Sequence, residues 1–370
     1  MYVLYLPLLA AEAGIERALV PWILVMDQLI FAACDWAAGL GADRASRLVG
    51  RLGRMVVIGT AVSCVAFLVL PFAAPGNKWI FVALIVVWSA TSSALRAPPL
   101  VLLGRHAPKP SHPFLASLLL FGMGVAGATS PYLTTLLRDV DARVPFVLAS
   151  LSLLAVTFVL AWAERAMPRQ AEKIAKVEKP EADLSTIVWF LLAVMLLGIG
   201  FQVHVSLNAA PMFLRFAEAS SLENLMPLFW LGFSVVMVPA SWLTKIWGGP
   251  LVMALGAVIG AASAFIIAAA TGLDAVIAAQ LVAGAGWGCV LMSAVTAALA
   301  FGHTGAEGKV TGAMFSALAL MACARIVLVA TQTVKDTDVA AFLPWAPTSA
   351  WLLAAIVLLC MLATGRVRTA

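Results

Sequence analysis

Between Val20 and Thr364 the chain runs eleven times through apolar stretches, each long enough to cross a bilayer as a helix, with short polar connections between them. A crossing needs roughly 20 apolar residues. Inside hydrocarbon the backbone must satisfy its own hydrogen bonds, so a chain built this way folds as a bundle of membrane helices. Composition agrees: 63% of the 370 residues are hydrophobic, 11% are charged, and the mean hydropathy is +1.03. A soluble domain cannot cover so much apolar side chain with polar surface.

The expected spans are Val20 to Gly41, Met55 to Ala74, Trp79 to Gly104, Phe114 to Leu137 and Val144 to Ala163, then Ser185 to Phe213, Leu225 to Thr244, Pro250 to Thr271, Ala275 to Phe301, Val310 to Gln332 and Thr348 to Thr364. A shorter apolar stretch, MYVLYLPLLAA, stands at the start. At about 1.5 Å per residue it falls short of a hydrocarbon core of about 30 Å before Glu12. Loop charge decides its standing. Lys and Arg number fifteen in the loops at 42–54, 105–113, 164–184, 245–249 and 302–309 and in the C-terminal tail, against six in the alternate loops. The positive-inside rule makes the first set cytoplasmic. Val20 to Gly41 therefore runs inward, and Met1 to about Ile15 is expected to be the outer part of a first helix that is abnormally short or begins upstream. Met1 is followed at once by apolar residues, so no cleavable signal is expected.

One long hydrophilic stretch, ERAMPRQAEKIAKVEKPEAD, separates six segments from six. The expected organisation is an N-terminal six-helix bundle at 1–163, a cytoplasmic linker at 164–184 and a C-terminal six-helix bundle at 185–370. Both termini are then cytoplasmic. Two bundles joined by a charged linker suit a secondary transporter whose substrate site lies between repeats.

The hairpin GLGADRASRLVGRLGR, Gly39 to Arg54, narrows the class. Its Gly39, Asp43, Arg44 and Arg47 resemble the GxxxDRxGR signature of the major facilitator superfamily, with Ser46 where that pattern has glycine. The resemblance implies an all-α membrane fold of 12 transmembrane helices in two six-helix bundles, in a bacterial inner membrane. It also implies that Asp43 faces the N-terminal dipole of the eleventh helix, near Val310, and stabilises the state closed to the cytoplasm. The other reading of the hairpin is a basic cluster that fixes topology and attracts anionic lipid. In the second half, Thr244-Lys-Ile-Trp-Gly-Gly249 is a worn counterpart.

Ionisable side chains at membrane depth are costly and pair, face a cavity or carry function. Five stand out: Asp27, Asp35, Arg96, His204 and Arg325. Counting the helical rise puts Asp35 and Arg96 at one shallow depth, as a structural ion pair, and Asp27 and Arg325 at one greater depth. In the family the helices of Asp27 and Arg325 face each other across the two halves. A pair there would bias alternating access; alternatively each faces its own bundle. Asp27 is also the carboxylate best placed for proton coupling. On the seventh helix, GFQVHVSLNAAPMFLRF sets His204 and Asn208 four residues apart with Phe201 completing a stripe and Gln202 turned away. That face could bind substrate or relay a proton, or be satisfied by neighbouring helices. GAGWGCV on the tenth helix offers Trp287 to line a chamber, with Gly284, Gly286 and Gly288 for close packing.

A proton-coupled carrier of a small solute is the leading expectation: a monomer in the lipid bilayer, with a small-molecule substrate, the proton as coupling ion and no cofactor. A copper-type metal importer is a second, on 14 Met and the membrane-embedded Cys; no metal-ligand spacing supports it. A non-transporting sensor or assembly factor on a carrier scaffold is a third. The five cysteines form no CxxC and no disulfide framework. No basic patch interleaved with exposed aromatics suggests nucleic acid, and no nucleophile-base set or phosphate loop suggests an enzyme.

Overall fold

Only helices and turns form among the residues that the computed structural model describes, namely 2–48, 52–93, 100, 109–166 and 183–365, without the side chains of 44–48, 52–55, 109, 160–161, 163–166 and 303–306. In chain order the main helices are α1 Tyr2–Glu12, α2 Val20–Leu48, α3 Leu52–Ala73, α4 Lys78–Ser92, α5 His112–Leu137 and α6 Arg143–Ala166. They continue as α7 Leu184–Phe213, α8 Pro227–Trp247, α9 Gly249–Ala268, α10 Leu273–Gly302, α11 Glu307–Ala330 and α12 Ala346–Ala363. Nine stretches among the described residues are long and apolar enough to cross a membrane, and three shorter apolar helices accompany them. The protein is a multi-pass membrane protein.

Two boundaries differ from expectation. α2 continues past Gly41 to Leu48, through residues expected to form the loop; Ala, Leu and Arg favour helix there. Helical backbone also continues from α10 into α11 across 58 residues, which as one straight rod would measure about 87 Å. It is not one rod. A Cβ on Gly302 would lie 2.5 Å from the Glu307 Cα, so the chain turns back between them. In the second half, α8 meets α9 at Gly248, which adopts φ +80°. Only glycine takes that conformation readily, and it makes the TKIWGG segment a sharp corner.

The chain divides into two compact units. The first comprises 1–106, 136–182 and 302–323; the second comprises 107–135, 183–301 and 324–370. α11 therefore contributes its first part to one unit and its last turns to the other.

The first unit is built on aromatic packing. Phe67 stacks on Phe146 at 4.3 Å and on Trp88 at 5.1 Å, over buried Leu6, Leu9, Leu70 and Ile85. The Tyr5 hydroxyl donates to the carbonyls of Leu137 and Val140, closing the end of α5. α2 and α11 approach backbone to backbone. A Cβ on Gly39 would stand 2.1 Å from the Gly308 oxygen, one on Gly308 would stand 2.2 Å from the Gly39 oxygen, and one on Gly312 would stand 2.6 Å from the Asp35 oxygen. Further along, the Ser316 hydroxyl donates to the Ala32 carbonyl, and Ala319 packs on Phe31 and Ala32.

In the second unit, Trp351 of α12 fills a space left by Gly200 and Gly260 and donates its indole N–H to the Leu197 carbonyl. Gly232 of α8 and Gly284 of α10 admit each other's helix: added Cβ atoms would lie 1.9 Å from the Leu281 oxygen and 1.8 Å from the Phe229 oxygen. Gly288 meets α8 and Gly286 meets α9, so the alternating glycines of α10 serve packing against two neighbours. Without a hydrophobic drive between helices in lipid, such contact is what holds them together.

Gly284→Ala should lower thermal stability in detergent by about 1–3 kcal/mol, the range for overpacking. Gly122→Ala, where nothing lies within 4 Å of the new methyl, should leave the melting temperature unchanged or slightly raised. Equal melting of the two variants would contradict the close approach.

Candidate functional site

The Asp43 carboxylate sits at the start of α11. It accepts the Gly308 N–H on Oδ1 and the Lys309 N–H on Oδ2, each at 2.8 Å, and is 2% exposed. These two amides belong to a helical first turn, whose N–H groups have no partner within the helix. A carboxylate there gains both hydrogen bonds and the helix dipole. Gly39, one turn before Asp43, is the residue that lets α2 come close enough. The side chains of Arg44 and Arg47 lie outside the described residues, as does Arg96; the Asp35–Arg96 pair is therefore not described, although Asp35 itself is fully buried.

Deeper on α2, Asp27 is 1% exposed. The Tyr2 hydroxyl of α1 donates to Oδ2 at 2.7 Å, and the Ser89 hydroxyl of α4 donates to Oδ1 at 2.8 Å. Around them the Tyr2 ring lies 4.6 Å from Trp88, which also meets Phe31 edge-on. The acid is held by neutral donors inside an aromatic cage. Neither Tyr2 nor Ser89 was singled out from sequence. Ser89 left a signal, the first hydroxyl after the apolar run of α4, whereas Tyr2 is 25 residues away on another helix.

The second unit holds two polar centres. At residues 204–208, α7 opens into a π-turn, HVSLN, three residues before Pro211. Proline has no N–H and crowds the carbonyl four residues back, and π-turns occur at such interruptions and at functional sites. His204 is 2% exposed; its Nε2 lies 2.6 Å from Gln280 Oε1, between the rings of Phe229 and Trp351. Asn208 Nδ2 donates to the Leu343 carbonyl. Their bonds lead to α10 and to the segment before α12, so both side chains tie α7 to its neighbours. Gln280, a single amide in an apolar helix, was legible as unusual but not as the partner of His204.

Just before the turn, at Phe201 and Gln202, lies the second centre. Phe201 stacks flat on Trp287 at 4.3 Å, and the buried Trp287 Nε1 has no hydrogen-bond partner among the described residues. Gln202, turned off the Phe201 face as the helical period requires, presents Oε1 to Nε of Arg325 at 3.1 Å. Both are half-buried.

Among the described residues no three His, Cys, Asp or Glu side chains come together as a metal site, and the cysteines are free thiols.

The Major Facilitator Superfamily profile matches residues 1–324. Among curated proteins none matches the sequence. Solved structures with a similar fold include a bacterial homologue of the iron transporter ferroportin in an outward-facing state, at TM-score 0.73 and 14% identity over 97% of this chain and 94% of that one. A variant of the E. coli fucose:proton symporter FucP gives TM-score 0.66 and 16% identity over 99% and 97%. The human organic anion transporter MFSD10 (TETRAN) gives TM-score 0.68 and 14% identity over 95% and 88%. At these identities the likeness is one of fold.

Two outcomes follow for purified protein. Asp43→Ala removes a charged acceptor from two amides and should lower thermal stability by about 1.5–3 kcal/mol or more, on the scale of hydrogen bonds to charged groups. His204→Leu leaves the Gln280 amide buried and unpaired at a cost of about 1–3 kcal/mol; adding Gln280→Leu should restore most of it, and additive losses in the double variant would deny the pairing.

Proposed function

Since the chain belongs to the Major Facilitator Superfamily, we propose that it is a secondary active carrier of a small solute, coupled to protons through Asp27. The two sequence halves, 1–163 and 185–370 joined by the linker 164–184, act as the rocking six-helix bundles of a 12-helix carrier in a bacterial cytoplasmic membrane, with the basic loops and both termini inside. No enzymatic step is part of this reading.

The observation that carries it is the setting of Asp27. Within its unit both oxygens are taken by neutral hydroxyls, those of Tyr2 and Ser89. Hydroxyls can turn, donating to a carboxylate or accepting from a carboxylic acid. The same cage therefore accommodates Asp27 with or without its proton, which a cation clamped on the acid would not. A buried acid that tolerates both forms can pick up a proton on one side of the membrane and release it on the other. Asp43 acts as the latch: its grip on the first turn of α11 forms when α2 and α11 are closed together and must release for the cytoplasmic side to open. His204, Asn208, Phe201 and Trp287 shape the interior of the second bundle, and Arg325 with Gln202 forms its binding face. A fucose:proton symporter shares this fold, which is consistent with proton coupling on the same scaffold.

In proteoliposomes, wild type should accumulate its solute when the outside is made acidic. Asp27→Asn should lose that accumulation at least about tenfold, the scale set by removing a group that transfers protons, while still exchanging labelled for unlabelled solute. Asp27→Asn accumulating like wild type would refute coupling at this residue, and no movement of any stabilising solute in wild type would refute the carrier.

A further inference from the structure

Within its unit, Arg325 is held by one neutral contact. Gln202 Oε1 accepts from Nε at 3.1 Å, and no other hydrogen bond or ion pair of either side chain is found there among the described residues. A guanidinium has five N–H donors and no acceptor, so Gln202 must face it with its carbonyl oxygen. What remains is therefore all donor: the two terminal nitrogens of Arg325 and the amide NH2 of Gln202. A further unpaired donor among the described residues, Trp287 Nε1, is buried against Phe201, the chain neighbour of Gln202.

These groups share a layer. Phe190 packs edge-on against Phe301 at 5.2 Å, so α7 begins beside the end of α10. Counted from that contact at about 1.5 Å per residue, Gln202 lies about 18 Å along α7 and Trp287 about 21 Å along α10. Arg325 lies in the same layer by its contact with Gln202. Among the described residues of this unit, the layer holds no carboxylate.

We infer that Arg325 and Gln202 bind the carboxylate of a small organic monoanion, and that such anions are the substrate class of this carrier. The inference rests on the carrier reading above. A carboxylate fits the fork: its two oxygens match the two terminal nitrogens of an arginine end-on, with parallel hydrogen bonds. Gln202 fixes that choice, because holding Nε blocks the side-on approach and turns the guanidinium plane. Its own NH2 stands beside the carboxylate as a further donor. One guanidinium and neutral donors match a single negative charge; a phosphate carries nearly two and calls for a second cation. The other Arg and Lys side chains described in this unit are engaged or remote from the layer: Arg215 donates to the Ala268 and Ala270 carbonyls, while Lys245 stands in the last turn of α8 and Lys335 in the short turn after α11.

The test uses purified full-length protein and matched pairs of probes: propionate, lactate, benzoate and phenylacetate against propionamide, lactamide, benzamide and phenylacetamide, with inorganic phosphate and sulfate alongside. At least one carboxylate should raise the melting temperature of wild type while its amide does not. Arg325→Gln should abolish that shift, and Arg325→Lys, which keeps the charge without the fork, should bind the same carboxylate at least about tenfold more weakly. Gln202→Leu should weaken it as well. No response to any carboxylate, equal response to acid and amide, response to phosphate alone, or unchanged binding in Arg325→Gln would each overturn the assignment. Should Arg325→Gln fail to fold, the Arg325→Lys affinity and the acid-amide comparison in wild type decide. Binding that meets these terms without any counterflow in proteoliposomes would end the carrier reading and leave the site standing. Counterflow of a neutral solute, indifferent to Arg325, would do the reverse.

Discussion

Hydrocarbon offers no partner to a backbone amide or a charged side chain, so every polar atom in the spans must be answered by the protein or by what it binds. This constraint orders the structure. It makes each span a helix, which answers the backbone, and it leaves a short series of side chains whose partners define the chemistry: Asp43 with the first amides of α11, Asp27 with Tyr2 and Ser89, His204 with Gln280, and Arg325 with Gln202. The first three are answered fully enough to be buried. Arg325 is answered only in part, and it is also left half-buried.

Glycine supplies the means of bringing helices close enough for such partnerships. Asp43 reaches the Gly308 and Lys309 amides only because Gly39 and Gly308 let two backbones nearly touch. The arrangement is specific to that end of α2. Gly41, two residues on, has nothing within 4 Å of its missing side chain, so it is the face of the helix, not the presence of glycine, that carries the contact. In the second unit the same device is used twice over on α10, with Gly284 and Gly288 toward α8 and Gly286 toward α9. A helix gripped on two sides by backbone contact is a rigid base on which Trp287 is held.

The fold was legible because hydropathy is a local signal: the length and apolarity of each stretch, the charge of each loop and the Asp43 hairpin can each be read from one short run of residues. The site was legible only as a set of unusual residues. Asp27, His204 and Arg325 could be marked as charges in apolar helices, but their partners lie 25 to 123 residues away, and depth counting says nothing about facing. Gln202 shows the difficulty. Helical period turns it off the Phe201–His204 face, yet that same rotation brings it to Arg325. The π-turn at 204–208 was equally invisible, since Pro211 announces a disturbance without saying on which side or in what form the helix yields.

If the proposed function holds, the buried acid and the half-buried cation complement each other, although each is braced by neutral groups in its own unit. On the proposed reading, the empty carrier holds an ionised Asp27 and a cationic Arg325, which sum to no net charge. Loading adds a proton to Asp27 and a monoanion to Arg325, and the sum is again zero. Either form can then rearrange in the membrane without carrying uncompensated charge through a medium of low dielectric, where a lone ion is most costly. Half-loaded forms, with the proton alone or the anion alone, leave one charge unmatched and are penalised for the same reason. Coupling between proton and solute thus needs no direct contact between their sites. It follows from the cost of net charge in hydrocarbon, provided the acid can exist in both forms in its cage and the cation has no fixed counter-ion, as proposed for the Tyr2–Asp27–Ser89 and Gln202–Arg325 groups.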